Sequence, residues 1–280
     1  MPKQHISERI AALDPSNDHQ EIVRLLTFYV FPWDFERALE FALFRTYAVP
    51  SISKLLAETK EFLERPRKRY DDTELIMYEI AEHGYDSDRG RRALRRMNQM
   101  HGRFDISNDD FLYVLTTFIF EPMRWVEELG KRPLTDNEKQ ASLQYYLEVG
   151  RRMNIQNIPT DLETLEQFNR QYEAEHFHYS ESNRKIGNST VNLFLGFYLP
   201  KLLWPLGRPV VYAMMDGPLR DAFGYPHPPA WLRPLVVRLL GWRAAIIRRL
   251  PERRKPVFGT QRKRPTYPEG YKIEELGTFR

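Results

Sequence analysis

Asp88–Gly102 reads DRGRRALRRMNQMHG, and the spacing of its apolar residues decides the fold class. Wound at 3.6 residues per turn, Ala93, Met97, Met100 and His101 fall on one side, while Arg91, Arg92, Arg95 and Arg96 fall on the other. The stretch predicts an amphipathic helix that carries a histidine at the end of its apolar stripe. A histidine so placed is ordinarily a core or surface residue, so its neighbours decide what else it can be.

Helical spacing continues on both sides. Upstream, RKRYDDTELIMYEIAEHG places Arg69, Thr73, Ile76 and Ile80 on one face, and Gly84 stops the helix. Downstream, Ser107 caps NDDFLYVLTTFIFEPMRWVEELG, with Asp110 in the capping-box place and a kink expected at Pro122. Thr135-x-x-Glu138 and Thr160-x-x-Glu163 read as two further capping boxes, opening helices that end near Met153 and His178. Phe35, Leu39, Ala42, Leu43 and Thr46 predict a helix ending before Pro50, and Ser51 or Ser53 caps a following one through Lys54–Glu64. ESNRKIGNSTVNLFLGFYLP predicts another helix, terminated by Pro200. No alternating β runs, Gly-rich phosphate loop or internal repeat occur. The expected architecture is all-α, one large domain of roughly eight to ten helices.

Composition marks out four segments. Residues 1–20 are polar and expected to be loosely ordered, and 21–200 form the helical body. Residues 201–250 form a Pro-rich apolar and basic cap, lying on that body or on a membrane, and 251–280 form an extended basic tail. From Arg233 to Arg264 eleven Arg or Lys face a single acid, Glu252, although the whole chain carries only +4. Such a tail suits anionic headgroups or solvent; no nucleic-acid reader motif accompanies it. The chain has no cysteine, which excludes disulfides, Cys-ligated zinc, iron–sulfur clusters and a thiolate-ligated haem. No secretory signal is recognisable, and no stretch of about 18 residues is free of charge. The expectation is an intracellular protein, cytoplasmic or peripherally membrane-associated.

Seven histidines offer two ligand schemes. Glu173-x-x-His176 has the spacing of di-iron carboxylate bundles, but no second copy is present, and His83 with Glu79 has the wrong spacing. The other scheme is a single axial histidine under a haem: His101 on its apolar face, aromatic helices to enclose the macrocycle, and Arg69 and Thr73 as polar groups opposite. Spacing alone leaves this open, since many helical proteins offer such a combination.

The run RYDDTELIMYEIAEHGYDSDRGRRALRRMNQMHGRFDISNDDFLYVLTTFIFEPMRW resembles the oxygenase family that includes fungal MpaB and the bacterial rubber oxygenases, or latex clearing proteins. LEFALFRTYAVPSISKLL upstream and LTDNEKQASLQYYLEVGRRMNIQNIP with QYEAEHFHYSESN downstream extend it over roughly residues 33–200. The resemblance implies haem b with His101 as proximal iron ligand, and Arg69 and Thr73 as the Arg and Thr near the haem, contacting cofactor or bound oxygen. Asp72 stands where the rubber oxygenases carry a lysine, and reads as an exposed helix charge; Glu58 and Glu61 are candidates for the acid/base. The implied activity is that of a haem dioxygenase, cleaving a C=C bond of an apolar, isoprenoid or lipid-like substrate with O2, with possible peripheral membrane contact through 199–250. Two rivals from other classes are a non-catalytic helical membrane- or lipid-binding protein and a haem carrier or sensor. Absorption by bound haem and salt-sensitive liposome binding separate them.

Overall fold

The computed structural model describes residues 5–277. Among them are fourteen α-helices and no strand, so the all-α expectation holds with more helices than predicted. In chain order these are α1 Ile6–Ala11, α2 His19–Leu25, α3 Pro32–Tyr47, α4 Pro50–Glu58, α5 Glu61–Glu64, α6 Pro66–His83 and α7 Asp88–His101. There follow α8 Asn108–Leu129, α9 Asp136–Arg152, α10 Leu162–His176, α11 Glu181–Tyr198, α12 Trp204–Met214, α13 Gly217–Phe223 and α14 Leu232–Arg249. A π turn, Leu26–Val30, joins α2 to α3.

The extra helices arise where the chain breaks differently from expectation. Pro50 opens α4 as its first residue, so neither Ser51 nor Ser53 caps it; Ser53 is buried and donates to Asn183. Lys60, in left-handed backbone, splits the expected Lys54–Glu64 helix into α4 and α5. Asp161, not Thr160, caps α10, accepting from the Thr164 N–H at 2.8 Å. The box at Thr135 forms as expected. Residues 5–20 are not loose: Ile10 of α1 is 2 % exposed, packed with α2 and the π turn.

α6 and α7 form the pair on which the site depends. Gly84 ends α6 at φ +82, and a Cβ at Gly90 would lie 2.0 Å from the Gly84 carbonyl oxygen, so this tight corner needs glycine at both places. Ser87 caps α7 by accepting from the Gly90 N–H. Ala93, Leu94 and Met97 then pack against Leu75, Ile76 and Ile80 of α6, while α3 lies along α8. α8 runs through Pro122 as one helix; the proline has no N–H for the Phe118 carbonyl.

The cap packs on α11 through Tyr212, Met215, Leu219 and Phe223, all buried. The segment beyond Pro251 has little regular structure, yet it does not trail into solvent. It returns along α6 and α7 as a strap: Arg264 pairs with Asp71 at 2.8 Å and with Glu74, Arg262 with Glu36 at 2.6 Å, and Arg92 with Glu274 at 2.7 Å. Two of the tail's basic residues, Arg262 and Arg264, are therefore answered inside the fold. Arg96, expected on the solvated face, is buried under this strap and donates to the Leu276 carbonyl at 2.7 Å.

Candidate active site

A cavity of about 1800 Å³, its open mouth included, lies between α3, α4, α6, α7, α8 and α9. Leu43, Ile52, Leu55, Ile76, Met97, Phe111, Leu115 and Phe118 make most of its wall apolar. Three residues singled out from the sequence, Arg69, Thr73 and His101, all line it. Arg69, Thr73, Ile76 and Met77 come from one face of α6; Met97, Met100 and His101 come from the apolar stripe of α7.

His101 ends α7, with its ring edge-on to Phe111 at 5.3 Å. Its surface is partly open, but Nδ1 is shut off from water and has no hydrogen-bond partner. Burial, followed by the positive charge of Arg69, pushes its pKa down to about 4. The ring is therefore neutral near pH 7. A buried polar atom without a partner ordinarily carries a desolvation cost, which a ligand to that nitrogen would remove.

Arg69 forms no salt bridge among the described residues. Its Nη1 donates to the Thr73 hydroxyl, and its guanidinium lies 5.1 Å from the Phe62 ring centre. Thr73 uses its own proton on the Arg69 carbonyl at 3.0 Å, the helix back-bond open to any threonine in this position. The cavity wall thus holds a cation without a counter-charge near a neutral imidazole. That donor set fits a planar iron macrocycle with acidic substituents: a nitrogen for the metal, a guanidinium for a carboxylate and apolar surface for the ring.

Asp72 is not an exposed helix charge. It is 3 % exposed, takes 2.7 Å contact from Lys68 Nζ and accepts from the Tyr267 hydroxyl of the strap. Four-residue helical spacing brings Lys68 onto Asp72. Neither Glu58 nor Glu61 lines the cavity; Glu61 is buried and paired with Arg65 at 2.5 Å. The acids that do reach the wall are Asp72, Asp105 and Asp110. Asp110 accepts from Ser51 at 2.9 Å and from Tyr172 at 2.6 Å.

The Glu173–His176 scheme fails on its partners. Glu173 takes both ends of the Arg45 guanidinium, at 2.7 and 2.5 Å, and the Tyr113 hydroxyl at 3.0 Å. His176 lies against the Tyr172 ring at 4.1 Å. Glu79 is taken by Arg89, with His83 Nε2 at 3.6 Å. Among the described residues no group of three His, Asp or Glu is arranged to hold a metal ion; a single axial histidine is a different requirement.

Sequence reasoning missed a second chamber that adjoins the first along α6, of about 900 Å³ with its open mouth included, lined by Glu36, Glu40, Tyr70, Glu74 and Tyr78 among apolar groups. The available signal was acids and tyrosines at four-residue spacing inside otherwise apolar faces. The 201–250 segment expected on the body or on a membrane carries an outward stripe along α14 and its two flanking residues: Trp231, Leu235, Leu239, Trp242, Ile246 and Leu250 recur every three or four residues, and each is at least 44 % exposed. On α12 and the turn before it, Leu202 and Leu206 are likewise exposed.

Residues 37–246 match the family described as ER-bound oxygenase mpaB/B'/Rubber oxygenase, catalytic domain. ER-bound oxygenase mpaB' of Penicillium brevicompactum is 32% identical over 220 residues, covering 72% of this chain and 52% of that protein. ER-bound oxygenase mpaB of Penicillium roqueforti (strain FM164) is 30% identical over 213 residues, 70% of this chain and 71% of that protein. The mpaB of Penicillium brevicompactum is 29% identical over 183 residues. The chain thus spans about half the length of two of these relatives.

Proposed function

Because the chain belongs to the mpaB/rubber oxygenase catalytic-domain family, we propose that it is an oxygenase that binds haem b in the His101 cavity and acts on an apolar small molecule. The observation that carries this reading is the buried, partnerless Nδ1 of His101 on the wall of a large apolar cavity. The chemistry a haem b would supply there is activation of O2 at iron, leading to oxidative cleavage of a substrate C=C bond.

The chain's own groups have separate tasks. His101 would hold the iron through a neutral imidazole, with no proton to displace above about pH 4. Arg69, having no carboxylate partner of its own, would pair with an acidic substituent of the cofactor by charge-assisted hydrogen bonds. The Arg69–Thr73 contact holds that guanidinium against the α6 wall. Phe111, Phe118 and the α4 leucines keep water out and give an isoprenoid or lipid-like chain its apolar contacts. Haem titrated into the purified protein should produce a Soret band that saturates at one equivalent; a spectrum equal to free haem would end the proposal.

The α14 stripe supports peripheral membrane contact as part of the same reading. No helix of the described residues is long and apolar enough to cross a membrane, but an exposed apolar stripe flanked by Arg238 and Arg249 suits a helix lying in the headgroup layer. Affinity for vesicles of 30% phosphatidylserine, read by co-sedimentation, should fall by about thirtyfold or more in Trp231→Ser/Trp242→Ser, since each buried Trp contributes on the order of 1–2 kcal/mol. Unchanged sedimentation would remove membrane contact from the account and leave the cavity chemistry standing.

A further inference from the structure

The second chamber runs along α6, whose Tyr70, Thr73, Glu74, Met77, Tyr78 and Ala81 share one helix face. From Tyr70 to Ala81 this face extends about 16 Å at 1.5 Å per residue. Most polar groups along it are already answered. Glu36 takes Arg37 and Arg262, Glu74 takes Arg264, and the Tyr78 hydroxyl reaches Glu36.

Two polar atoms are not answered, one near each end. By Tyr70, Glu40 of α3 receives the Tyr70 hydroxyl at 3.2 Å and Arg37 at 2.9 Å, both through Oε1. Its Oε2 has no partner among the described residues. By Ala81, Tyr145 of α9 has a fully buried hydroxyl with no partner. Its ring lies 5.8 Å from that of Tyr85, just beyond the end of α6. Between these ends the wall is supplied by Leu39, Leu43, Met77, Phe118 and Ile119.

We propose that this chamber binds a linear apolar chain of about 10–12 carbons between two neutral oxygen groups, one held by Glu40 and one by Tyr145. This names the substrate class for the oxygenase proposed above and so rests on that reading for its meaning, though not for its test. Neutral ends fit because each neighbouring charge already faces an opposite one: Glu36, Glu74 and Asp71 among Arg37, Arg67, Arg262 and Arg264. A fourth carboxyl, Glu40, is pushed up to about 8 by burial and keeps its proton near neutral pH, so it can donate as well as accept. A charged end group would add an unpaired buried charge.

The placement also says which part of such a chain would react. Leu43, Thr73, Met77, Phe118 and Tyr146 line both this chamber and the His101 cavity. Thr73 and Met77 lie between the two polar ends along α6, so the middle of the chain rather than a terminus meets the shared wall.

Binding of dodecane-1,12-diol and dodecan-1-ol to the purified full chain, by calorimetry with and without added haem, tests the assignment. The diol should bind about fivefold more tightly than the mono-alcohol, the difference of one buried hydrogen bond. Tyr145→Phe, which deletes only an unpartnered hydroxyl, should erase that advantage, and Glu40→Leu should do the same. Equal affinities in the wild type, or an advantage that survives Tyr145→Phe, would overturn the proposal. A diol advantage without any haem Soret band would keep the chamber and refute the haem reading, so the two failures are distinguishable.

Discussion

His101 and His176 each end a helix beside aromatic rings, yet their surroundings differ in kind. Around His176 every neighbouring charge is occupied: Glu173 is gripped by Arg45 and Tyr113, and Arg45 also meets Glu121 at 3.4 Å and Asp216 at 2.7 Å. Around His101 the polar groups are unfinished, with a buried Nδ1 that has no partner and an Arg69 without a counter-charge. The first region is a cross-link between α3, α8 and α10. The second has the open valences of a binding site. Motif spacing offers Glu173-x-x-His176 only without its second copy; satisfaction of partners favours His101.

The largest effect that would sharpen this contrast is on stability. Arg45→Met should cost about 3–5 kcal/mol in denaturant unfolding, because Glu173 and Glu121 lose a buried counter-charge. It should leave haem uptake by the folded fraction intact. A loss below about 1 kcal/mol would put the network among weak surface pairs.

Next comes pH. The unfolded chain takes up a proton at His101 near pH 6.5, whereas the folded one resists it down to about 4. Haem-free protein should therefore lose stability as pH falls across that window, by up to about 3 kcal/mol from this group. Reading it as the difference between wild type and His101→Leu removes the opposite slope of Glu40, whose raised pKa makes stability fall as pH rises towards 8. Identical pH profiles for the two proteins would mean that His101 is not buried as described.

A smaller effect belongs to Arg69. Arg69→Met should weaken haem binding by about tenfold while leaving thermal stability nearly unchanged, since a charge-assisted contact contributes roughly 1.5 kcal/mol. Equal affinity would remove Arg69 from the cofactor contacts.

The sequence carried the local part of this contrast. The 3.6-residue period put Met97, Met100 and His101 on one face and Arg69 and Thr73 on another, and the structure brings both faces to one cavity. Glycines at 84 and 90 were visible, but not that each is needed for one close approach between α6 and α7. What was not legible depends on contacts distant along the chain. Asp72 looked like a solvated helix charge because Tyr267, which buries it, lies 195 residues away. Arg96 looked solvated for the same reason, its acceptor being the carbonyl of Leu276. Thr160 and Asp161 are both good caps, and only the observed backbone selects the aspartate.

The most direct test of the central claim is the absorption spectrum of the wild type, His101→Ala and His176→Ala after expression with ample haem. A Soret band is expected in the wild type and in His176→Ala, and its loss in His101→Ala with the helical circular dichroism unchanged. A wild type without the band, or a His101→Ala protein that keeps it, would mean that His101 holds no haem.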